Sequence, residues 1–388
     1  MYNFDEEVNR RNIYSLKWDV PADELPMWVA DMDFKTAPEI IDALRERVNH
    51  GVFGYNIIPD EWYSAYQNWW QKRHHFEIQK DWLIFAIGVV PILSSIVRKL
   101  TTPGEKVLIQ TPVYNVFFNC IVNQGCTPLE SELSYKDGVY SIDFAKLEKD
   151  LSDPQVALMI LCNPHNPVGK IWSKEELAKI GELCKKYNVT VVSDEIHCDL
   201  LAPNQEYVPF ASVNETCKDI SITCVAASKA FNLAGLQSAA CFVPNKFLRH
   251  KVWRGLNTDD VAEPNTFAVI SPIVAFNQGE KWLDELRVYL QENKQIVKDF
   301  LEKNLPKIKV VSLDATYLLW LDCSEYTNDT EELALVLREK AKVYLTYGGE
   351  YGKGGESFLR LNVATQRKNI IEGLNRMLKI KEFLSNSL

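Results

Sequence analysis

The stretch VALMILCNPHNPVGKIWSKEELAKIGELCKKYNVTVVSD (residues 156–194) carries a short apolar run at each end and a helical pattern between them. The runs 156–162 and 189–194 have the length and composition of buried strands. Ser173-Lys-Glu-Glu176 has the spacing of a capping box, and apolar residues follow it at helical intervals. This pattern predicts a strand–helix–strand unit with a right-handed crossover, and therefore a parallel sheet covered by helices.

Five further apolar runs predict more strands of the same sheet. They are 82–88, 106–111, 126–133, 221–227 and 238–243. The sequence therefore predicts an α/β fold with a mainly parallel sheet of seven strands.

The last hundred residues have a different pattern, typical of a smaller α+β domain. It comprises helices near 282–304, 329–342 and 367–386 and strands near 309–323 and 357–364. The first 45 residues contain extended segments and one helix, and we expect them to pack with that part of the chain. We predict a large domain over 46–281 and a small domain formed by 1–45 and 282–388.

Composition and charge exclude several classes of protein. The chain has 388 residues, of which 46% are hydrophobic, and a net charge of −9. An acidic chain lacks the surplus of Lys and Arg that nucleic acid or an anionic membrane requires. The first residues do not form the apolar core of a signal peptide, and no apolar run approaches the roughly 18 residues of a membrane span. The nine cysteines lie in apolar stretches, which is typical of buried reduced thiols, so we expect a cytoplasmic protein.

The residues that follow the predicted strands are the candidate site, because open parallel sheets bind ligands beyond the carboxyl ends of their strands. Lys229 follows an apolar strand and is flanked by chain that we expect to be buried. A desolvated lysine has a depressed pKa and is a usable nucleophile or base. The other strand ends supply a backbone anion cradle at Gly88, Val89 and Val90, an aromatic ring at Tyr114, an amide at Asn166, a carboxylate at Asp194, an imidazole at His197 and a hydroxyl at Ser228.

Three ordered motifs carry a family resemblance. Ser228-Lys-Ala-Phe-Asn-Leu-Ala-Gly235, preceded by Asn166-Pro-Val-Gly169 and Asp194-Glu-Ile-His197, resembles the class I/II aminotransferase superfamily of pyridoxal 5′-phosphate (PLP) enzymes, fold type I. The stretch LPMWVADMDF (residues 25–34) and Gly54-Tyr55 are similar to the bacterial cystathionine β-lyase or C–S lyase subgroup. The resemblance covers about residues 20–365 of the chain.

The resemblance implies roles for the residues at the strand ends. Lys229 would form the Schiff base with PLP and later move the substrate Cα proton. Asp194 would pair with the protonated pyridine nitrogen and keep the ring an electron sink. Asn166 would hydrogen-bond the ring hydroxyl, and Tyr114 would stack on the ring.

The phosphate and the substrate would be held by other residues. The resemblance implies that the backbone at Gly88, Val89 and Val90, together with the Ser228 hydroxyl, holds the phosphate. Arg360 would bind the substrate α-carboxylate, a task suited to a planar bidentate fork, with Asn166 beside it. Tyr55 would reach the cofactor phosphate of a partner subunit, which implies a homodimer.

The sequence departs from the broad family at three positions. Gln237 stands where an arginine usually binds phosphate, and Ala226 stands where Ser or Gly is common. His197 occupies the place of a tyrosine that donates to the ring hydroxyl in many aminotransferases. These departures favour the lyase subgroup over a general transaminase.

Three functions follow from the resemblance. The first is α,β-elimination from L-cysteine, L-cystathionine or another S-substituted cysteine, which gives pyruvate, ammonia and a thiol or hydrogen sulfide. The second is transamination, which needs a keto acid and returns the proton to the cofactor. The third is a PLP-fold regulatory protein whose catalysis is incidental.

Two other patterns invite functional interpretations. Cys162, His165, His197 and Cys198 lie near strand ends, but their spacing is not that of a zinc site, and we expect no metal there. The glycine-rich stretch 348–355 lacks the order of a phosphate loop, so we predict a mobile loop near the active site.

Overall fold

The computed structural model describes residues 2–381 and consists of helices around a central sheet. Its helices are α1 Pro38–His50, α2 Asp60–His74, α3 Val89–Leu100, α4 Val116–Val122, α5 Phe144–Leu151, α6 Lys174–Lys186, α7 Glu215–Ile220, α8 Ala227–Ala230, α9 Lys246–Thr258, α10 Thr266–Gln278, α11 Glu280–Asn304, α12 Glu331–Glu339 and α13 Arg367–Met377. Its strands are β1 Leu25–Pro26, β2 Leu83–Ala86, β3 Lys106–Ile109, β4 Thr127–Glu130, β5 Ser134–Lys136, β6 Val139–Ser141, β7 Val156–Cys162, β8 Thr190–Asp194, β9 Ser221–Val225, β10 Ala239–Phe242, β11 Lys309–Val310, β12 Leu318–Asp322, β13 Val343–Tyr344, β14 Thr346–Tyr347 and β15 Phe358–Asn362.

The central sheet has seven strands in the order β2-β10-β9-β8-β7-β3-β4, so all seven predicted strands are confirmed. Strand β10 is antiparallel to both of its neighbours, and the other neighbouring pairs are parallel. The predicted mainly parallel α/β sheet is therefore confirmed. Its parallel strands bring the residues after β3, β7, β8 and β9 to one edge.

The predicted strand–helix–strand unit is β7, α6 and β8. Ser173 accepts a hydrogen bond from the Glu176 amide, and the Glu176 side chain accepts one from the Ser173 amide, which completes the capping box. Strands β7 and β8 pair in parallel from Leu158 with Thr190 to Cys162 with Asp194. The unit therefore places Asn166 just beyond the end of β7 and Asp194 at the end of the adjacent β8.

The C-terminal part holds a four-stranded antiparallel sheet in the order β11-β12-β15-β14. The predicted strand region 309–323 contains β11 and β12, and the segment between them leaves the sheet. The predicted helix near 367–386 is observed over Arg367–Met377, and its part beyond residue 381 lies outside the described residues. Strand β1 pairs in parallel with β13, which joins the N-terminal segment to this part of the chain.

The predicted domain limits remain a prediction. Helix α1 runs across residue 45, and one hydrophobic cluster contains Ile40, Trp62 and Leu286, one from each predicted segment. Trp62, Trp69 and Trp70 of α2 belong to the same buried cluster, so this aromatic face packs against the core. All nine cysteines are free and buried, as predicted. None of the helices within residues 2–381 is long and apolar enough to cross a membrane.

Candidate active site

A cavity of about 190 Å³ lies at the edge of the sheet where the parallel strands end. The predicted site residues in its wall are Gly88, Val89, Val90, Tyr114, Asn166, Asp194, His197, Ser228 and Lys229. Ala30, Cys162 and Gln237 also line it. The structure thus gathers residues from five strand ends and from the N-terminal segment.

Lys229 lies on the short helix α8, directly beyond strand β9. Its Nζ donates a hydrogen bond of 2.7 Å to the carbonyl oxygen of Ala30. Burial and, to a smaller extent, the nearby charge of Arg360 lower the pKa of Lys229 to about 8, although Asp31 and Asp194 oppose the change. Near pH 8 the fraction of Lys229 that is neutral amine is therefore far larger than that of an exposed lysine, whose pKa is about 10.4.

Asp194 is the last residue of β8 and is almost fully buried. Its carboxylate accepts a hydrogen bond of 3.1 Å from the Ile196 amide. Burial raises the pKa of Asp194 to about 6, although the hydrogen bond from the Ile196 amide and the charge of Lys229 oppose the rise. A carboxyl group desolvated in this way gains from a cationic partner, such as a protonated ring nitrogen.

His197 lies beyond Asp194 and is also buried. Burial, together with the positive charges of Lys229 and Arg360, lowers the pKa of His197 to about 3, so the imidazole is neutral. Its Nδ1 is buried without a hydrogen-bond partner among the described residues. A buried polar atom without a partner is costly, and it indicates a place where a ligand could complete the bonding.

Tyr114 supplies the aromatic wall of the cavity, and its ring lies edge-on to Phe117 at 5.8 Å. Burial raises the pKa of Tyr114 to about 12, so its hydroxyl keeps its proton at neutral pH. The structure therefore places a flat, uncharged ring where the resemblance implied a stacking partner.

The N-terminus of α3 lies where the sequence predicted an anion cradle. Gly88 is its N-cap residue, and no side chain within residues 2–381 caps it. The first backbone N–H groups of a helix lack partners within the helix, and the helix dipole favours an anion there. Ser228 and Gln237 line the same cavity, whereas Ala226 is buried as the N-cap residue of α8.

Arg360 lies in the middle of the C-terminal sheet on β15 and is buried. Its Nη1 donates to Asn166 Oδ1 at 3.4 Å, and its Nη2 donates to the Trp28 carbonyl oxygen at 3.0 Å. Its guanidinium lies 4.9 Å from the centre of the Tyr351 ring, and its Nε has no hydrogen-bond partner among the described residues. Arg360 thus joins the predicted group through Asn166 and keeps an N–H for a further acceptor.

Tyr55 lies outside the cavity. Its side chain is fully exposed, in a groove that also contains Gly54, Phe267 and Gln237. Gln237 borders both the groove and the cavity. The role of Tyr55 at the cofactor phosphate of a partner subunit stays a prediction.

The N-terminal segment contributes contacts that the sequence did not predict. The Ala30 carbonyl oxygen accepts hydrogen bonds from Lys229 Nζ and from Tyr317 Oη, the latter at 2.9 Å. The Trp28 carbonyl oxygen accepts from Arg360. The stretch 25–34 carried the resemblance to the lyase subgroup, but no local pattern indicates which side chain its carbonyl groups meet.

The glycine-rich stretch lies beside the site. Residues Gly348–Tyr351 form a short 3₁₀ helix, and Tyr351 is buried beneath Arg360. The Tyr351 carbonyl oxygen accepts a hydrogen bond of 2.9 Å from the Val113 amide, next to Tyr114. The predicted position near the active site is therefore confirmed, and the predicted mobility stays a prediction.

These residues fit PLP, the cofactor that the resemblance implied. A desolvated amine, a buried carboxyl group, an aromatic ring and an uncapped helix N-terminus would suit the aldehyde, pyridine nitrogen, ring and phosphate of that molecule. Of the four residues named in the zinc alternative, only Cys198 belongs to a group of metal-ligand types among residues 2–381, and its partners there are His74 and Asp199.

Comparisons with known proteins agree with this geometry. The model of the family described as aminotransferase class I and II matches residues 23–377. Cystathionine beta-lyase PatB of Bacillus subtilis is 44% identical, and the match covers 97% of this chain and 98% of that protein.

Two solved structures are similar over nearly their whole length. Cystalysin from Treponema denticola, whose structure contains pyridoxal 5′-phosphate, has a TM-score of 0.95 at 36% identity and covers 99% of this chain and 100% of its own. The PLP-bound C–S lyase from Staphylococcus hominis has a TM-score of 0.91 at 34% identity, with 97% of this chain and 98% of its own covered. The chain described above therefore belongs to the aminotransferase class I and II family, with the fold of its PLP enzymes.

Proposed function

We propose that this chain is a PLP-dependent carbon–sulfur β-lyase. It removes the sulfur substituent from L-cysteine, L-cystathionine or a related S-substituted cysteine and releases pyruvate, ammonia and a thiol or hydrogen sulfide. The observation that carries the proposal is the convergence of Lys229, Asp194 and Asn166 on one cavity, with Arg360 hydrogen-bonded to Asn166. The similarity to cystathionine beta-lyase PatB over nearly the whole chain supports it.

Each end of the cavity has a task in holding the cofactor. Bound PLP supplies the electron sink that stabilises negative charge at the substrate Cα. Asp194 would hold the pyridine nitrogen in its protonated form, and Tyr114 would cover the ring. The N–H groups at the start of α3 and the Ser228 hydroxyl would hold the phosphate.

Lys229 moves the proton. Its lowered pKa leaves a useful fraction of neutral Nζ near pH 8, which can remove the proton from the substrate Cα. The resulting ammonium can then protonate the departing sulfur. Neither His197 nor Tyr114 competes as a base, because the imidazole resists protonation and the phenol resists loss of its proton.

Arg360 orients the substrate. Its planar fork offers two N–H groups to a carboxylate, and its position against Asn166 and Trp28 limits its rotation. Fixing the carboxylate fixes the direction of the Cα–H bond relative to Lys229, which lowers the entropic part of the barrier.

A pyruvate assay tests the function. We expect the purified protein with PLP to form pyruvate from L-cysteine or L-cystathionine without any keto acid, and Lys229→Ala to abolish this. Absence of pyruvate, together with transfer of the amino group to an added keto acid and retention of the Cβ–S bond in the product, would establish the aminotransferase instead.

Two features of the assembly and location belong to the same proposal. The apolar side chains of Val52, Phe53, Tyr55 and Ile57 are exposed in one stretch, which favours burial against a second copy of the chain in a homodimer. Nine free, buried cysteines suit a reducing compartment such as the cytoplasm.

A further inference from the structure

A second concavity, of about 300 Å³, lies at the C-terminal end of helix α2. His74, His75, Cys198, Asp199 and Glu206 are among the residues that line it. None of these residues has a task in the proposed reaction.

Three of the lining residues form a compact group of metal-ligand types. One ligand atom each from His74, Cys198 and Asp199 lies within 4.8 Å of the other two. His74 Nε2 and Asp199 Oδ1 are 3.0 Å apart. Trp69 Nε1 donates to both carboxylate oxygens of Asp199 at 3.1 Å. The three residues therefore come from two elements of the fold. His74 is the last residue of α2, and Cys198 and Asp199 lie in the turn beyond β8.

The chemistry of this group suits zinc. Zn²⁺ accepts imidazole nitrogen, thiolate sulfur and carboxylate oxygen together, usually in a tetrahedron with bonds of about 2.0–2.3 Å. Hard cations such as Mg²⁺ prefer oxygen ligands alone. The three side chains are nearly buried, and the concavity next to them gives an entry path and room for a water as fourth ligand.

The surrounding charges permit a divalent cation. Arg73 and Arg287 also line the concavity, but Arg73 pairs with Asp284 at 2.9 Å and with Glu280 at 3.5 Å. The Arg287 guanidinium donates to the carbonyl oxygens of residues 201 and 202. A Cys198 thiolate and the Asp199 carboxylate would together balance the two positive charges of the ion.

We propose that His74, Cys198 and Asp199 bind one Zn²⁺ ion, with water as the fourth ligand. Binding forms a bond from the ion to the Cys198 sulfur and releases the thiol proton to solvent. The hydrogen bonds from Trp69 orient the Asp199 carboxylate as an outer contact of the site. Because His197 precedes Cys198, the ion joins α2 to the turn that forms one wall of the active-site cavity. The proposal does not depend on the proposed reaction.

Metal binding can be measured without substrate. The holoenzyme is treated with a chelator, freed of it, and titrated with ZnCl₂ by calorimetry in a buffer without thiols, and the bound metal is counted by elemental mass spectrometry. We expect one ion per chain and no comparable heat from MgCl₂. Binding of less than one ion, or equal binding of Mg²⁺, would overturn the proposal.

Paired variants locate the site. We expect His74→Asn and Cys198→Ser each to weaken binding by more than the ~10- to 100-fold that changes of outer contacts cause. The matched controls His75→Asn, the neighbouring histidine, and Cys126→Ser, another buried thiol, should keep wild-type affinity. Full binding by Cys198→Ser, or loss of binding in His75→Asn alone, contradicts the assignment.

X-ray absorption at the zinc edge tests the wild-type chain directly and does not need a variant that folds. We expect one sulfur neighbour at about 2.3 Å and nitrogen or oxygen neighbours at about 2.0–2.1 Å. A spectrum without sulfur would rule out Cys198 as a ligand and with it the proposed site.

Discussion

Lys229 shows how one position changes the chemistry of a common side chain. The apolar chain around Lys229 indicated that its side chain is buried. The structure adds the causes of its lowered pKa: desolvation and the charge of Arg360, opposed by the charges of Asp31 and Asp194. The hydrogen bond to the Ala30 carbonyl oxygen could not be predicted, because the two residues are 199 positions apart and no local pattern links them.

The reactivity of Lys229 in the cofactor-free protein should follow a pKa of about 8. An amine reagent such as acetic anhydride reacts only with neutral amine, so labelling measured by mass spectrometry should reach half its maximal rate near pH 8. Exposed lysine peptides from the same digest should do so near pH 10.4. Identical labelling profiles for Lys229 and the exposed lysines would contradict the desolvation of Lys229.

The same pKa difference affects folding stability. Because Lys229 in the unfolded chain would stay protonated up to the higher pH, this residue makes folding stability rise as pH increases from about 8 to about 10.4.

Arg360→Lys separates positive charge from fork geometry. The ammonium keeps the charge but loses the two-pronged contact, so we expect KM for L-cystathionine to rise by about 10- to 100-fold, as for the loss of one charge-assisted hydrogen bond. Steady-state pyruvate release measures this, and the PLP absorbance should stay unchanged. The matched control is Arg249→Lys, which should leave KM unaltered. The Arg249 guanidinium donates to the carbonyl oxygens of Val243 and Pro244 and pairs with Asp81.

At the scale of elements, local pattern predicted where strands occur but not how they run. The seven strands of the main sheet were predicted because each is an apolar run of strand length. The antiparallel direction of β10 could not be read from its sequence, since an apolar run records burial and not direction. The region 309–323 was read as strand, yet Thr316 adopts a positive φ of 61° and Ala315 bridges Leu201, which draws this segment towards the turn beyond β8.

Asn232, three residues after Lys229, forms hydrogen bonds with the N-terminal segment. Asn232 accepts from the Met32 amide and donates to the carbonyl oxygens of Met32 and Phe34, each at 3.0 Å. Asn232→Gly keeps the positive φ of 57° accessible but removes these bonds. We expect a loss of about 1–3 kcal/mol in the free energy of unfolding, measured with urea, and faster amide exchange near residues 30–34.

Asn188→Gly is the matched control, because Asn188 is exposed and has a nearly equal φ of 58°. Both substitutions carry the same cost in backbone entropy, so the difference between them reports the hydrogen bonds of Asn232. Equal stabilities of the two variants would mean that Asn232 does not hold the segment.

At the scale of the whole molecule, the sequence predicted most residues of one active site. It did not settle whether Tyr55 of a second copy of the chain completes that site. Nine predicted residues line one cavity, since their positions follow from the order of the strands, and Arg360 reaches that cavity through Asn166. Tyr55 lies outside it, in a groove that borders the cavity at Gln237. A glutamine in place of a phosphate-binding arginine leaves the phosphate site with one positive charge fewer. The Tyr55 phenol of a second copy of the chain would supply a further hydrogen bond to the phosphate.

A complementation experiment tests whether Tyr55 acts across two subunits. We expect Tyr55→Ala and Lys229→Ala each to lose most pyruvate release as separate proteins. When the two are mixed and their subunits re-assort, a mixed dimer contains one site with both defects and one site with both residues intact. Random re-assortment makes half of the dimers mixed, so about a quarter of wild-type activity should return. If Tyr55 served its own subunit, both sites of every mixed dimer would stay defective and mixing would restore nothing.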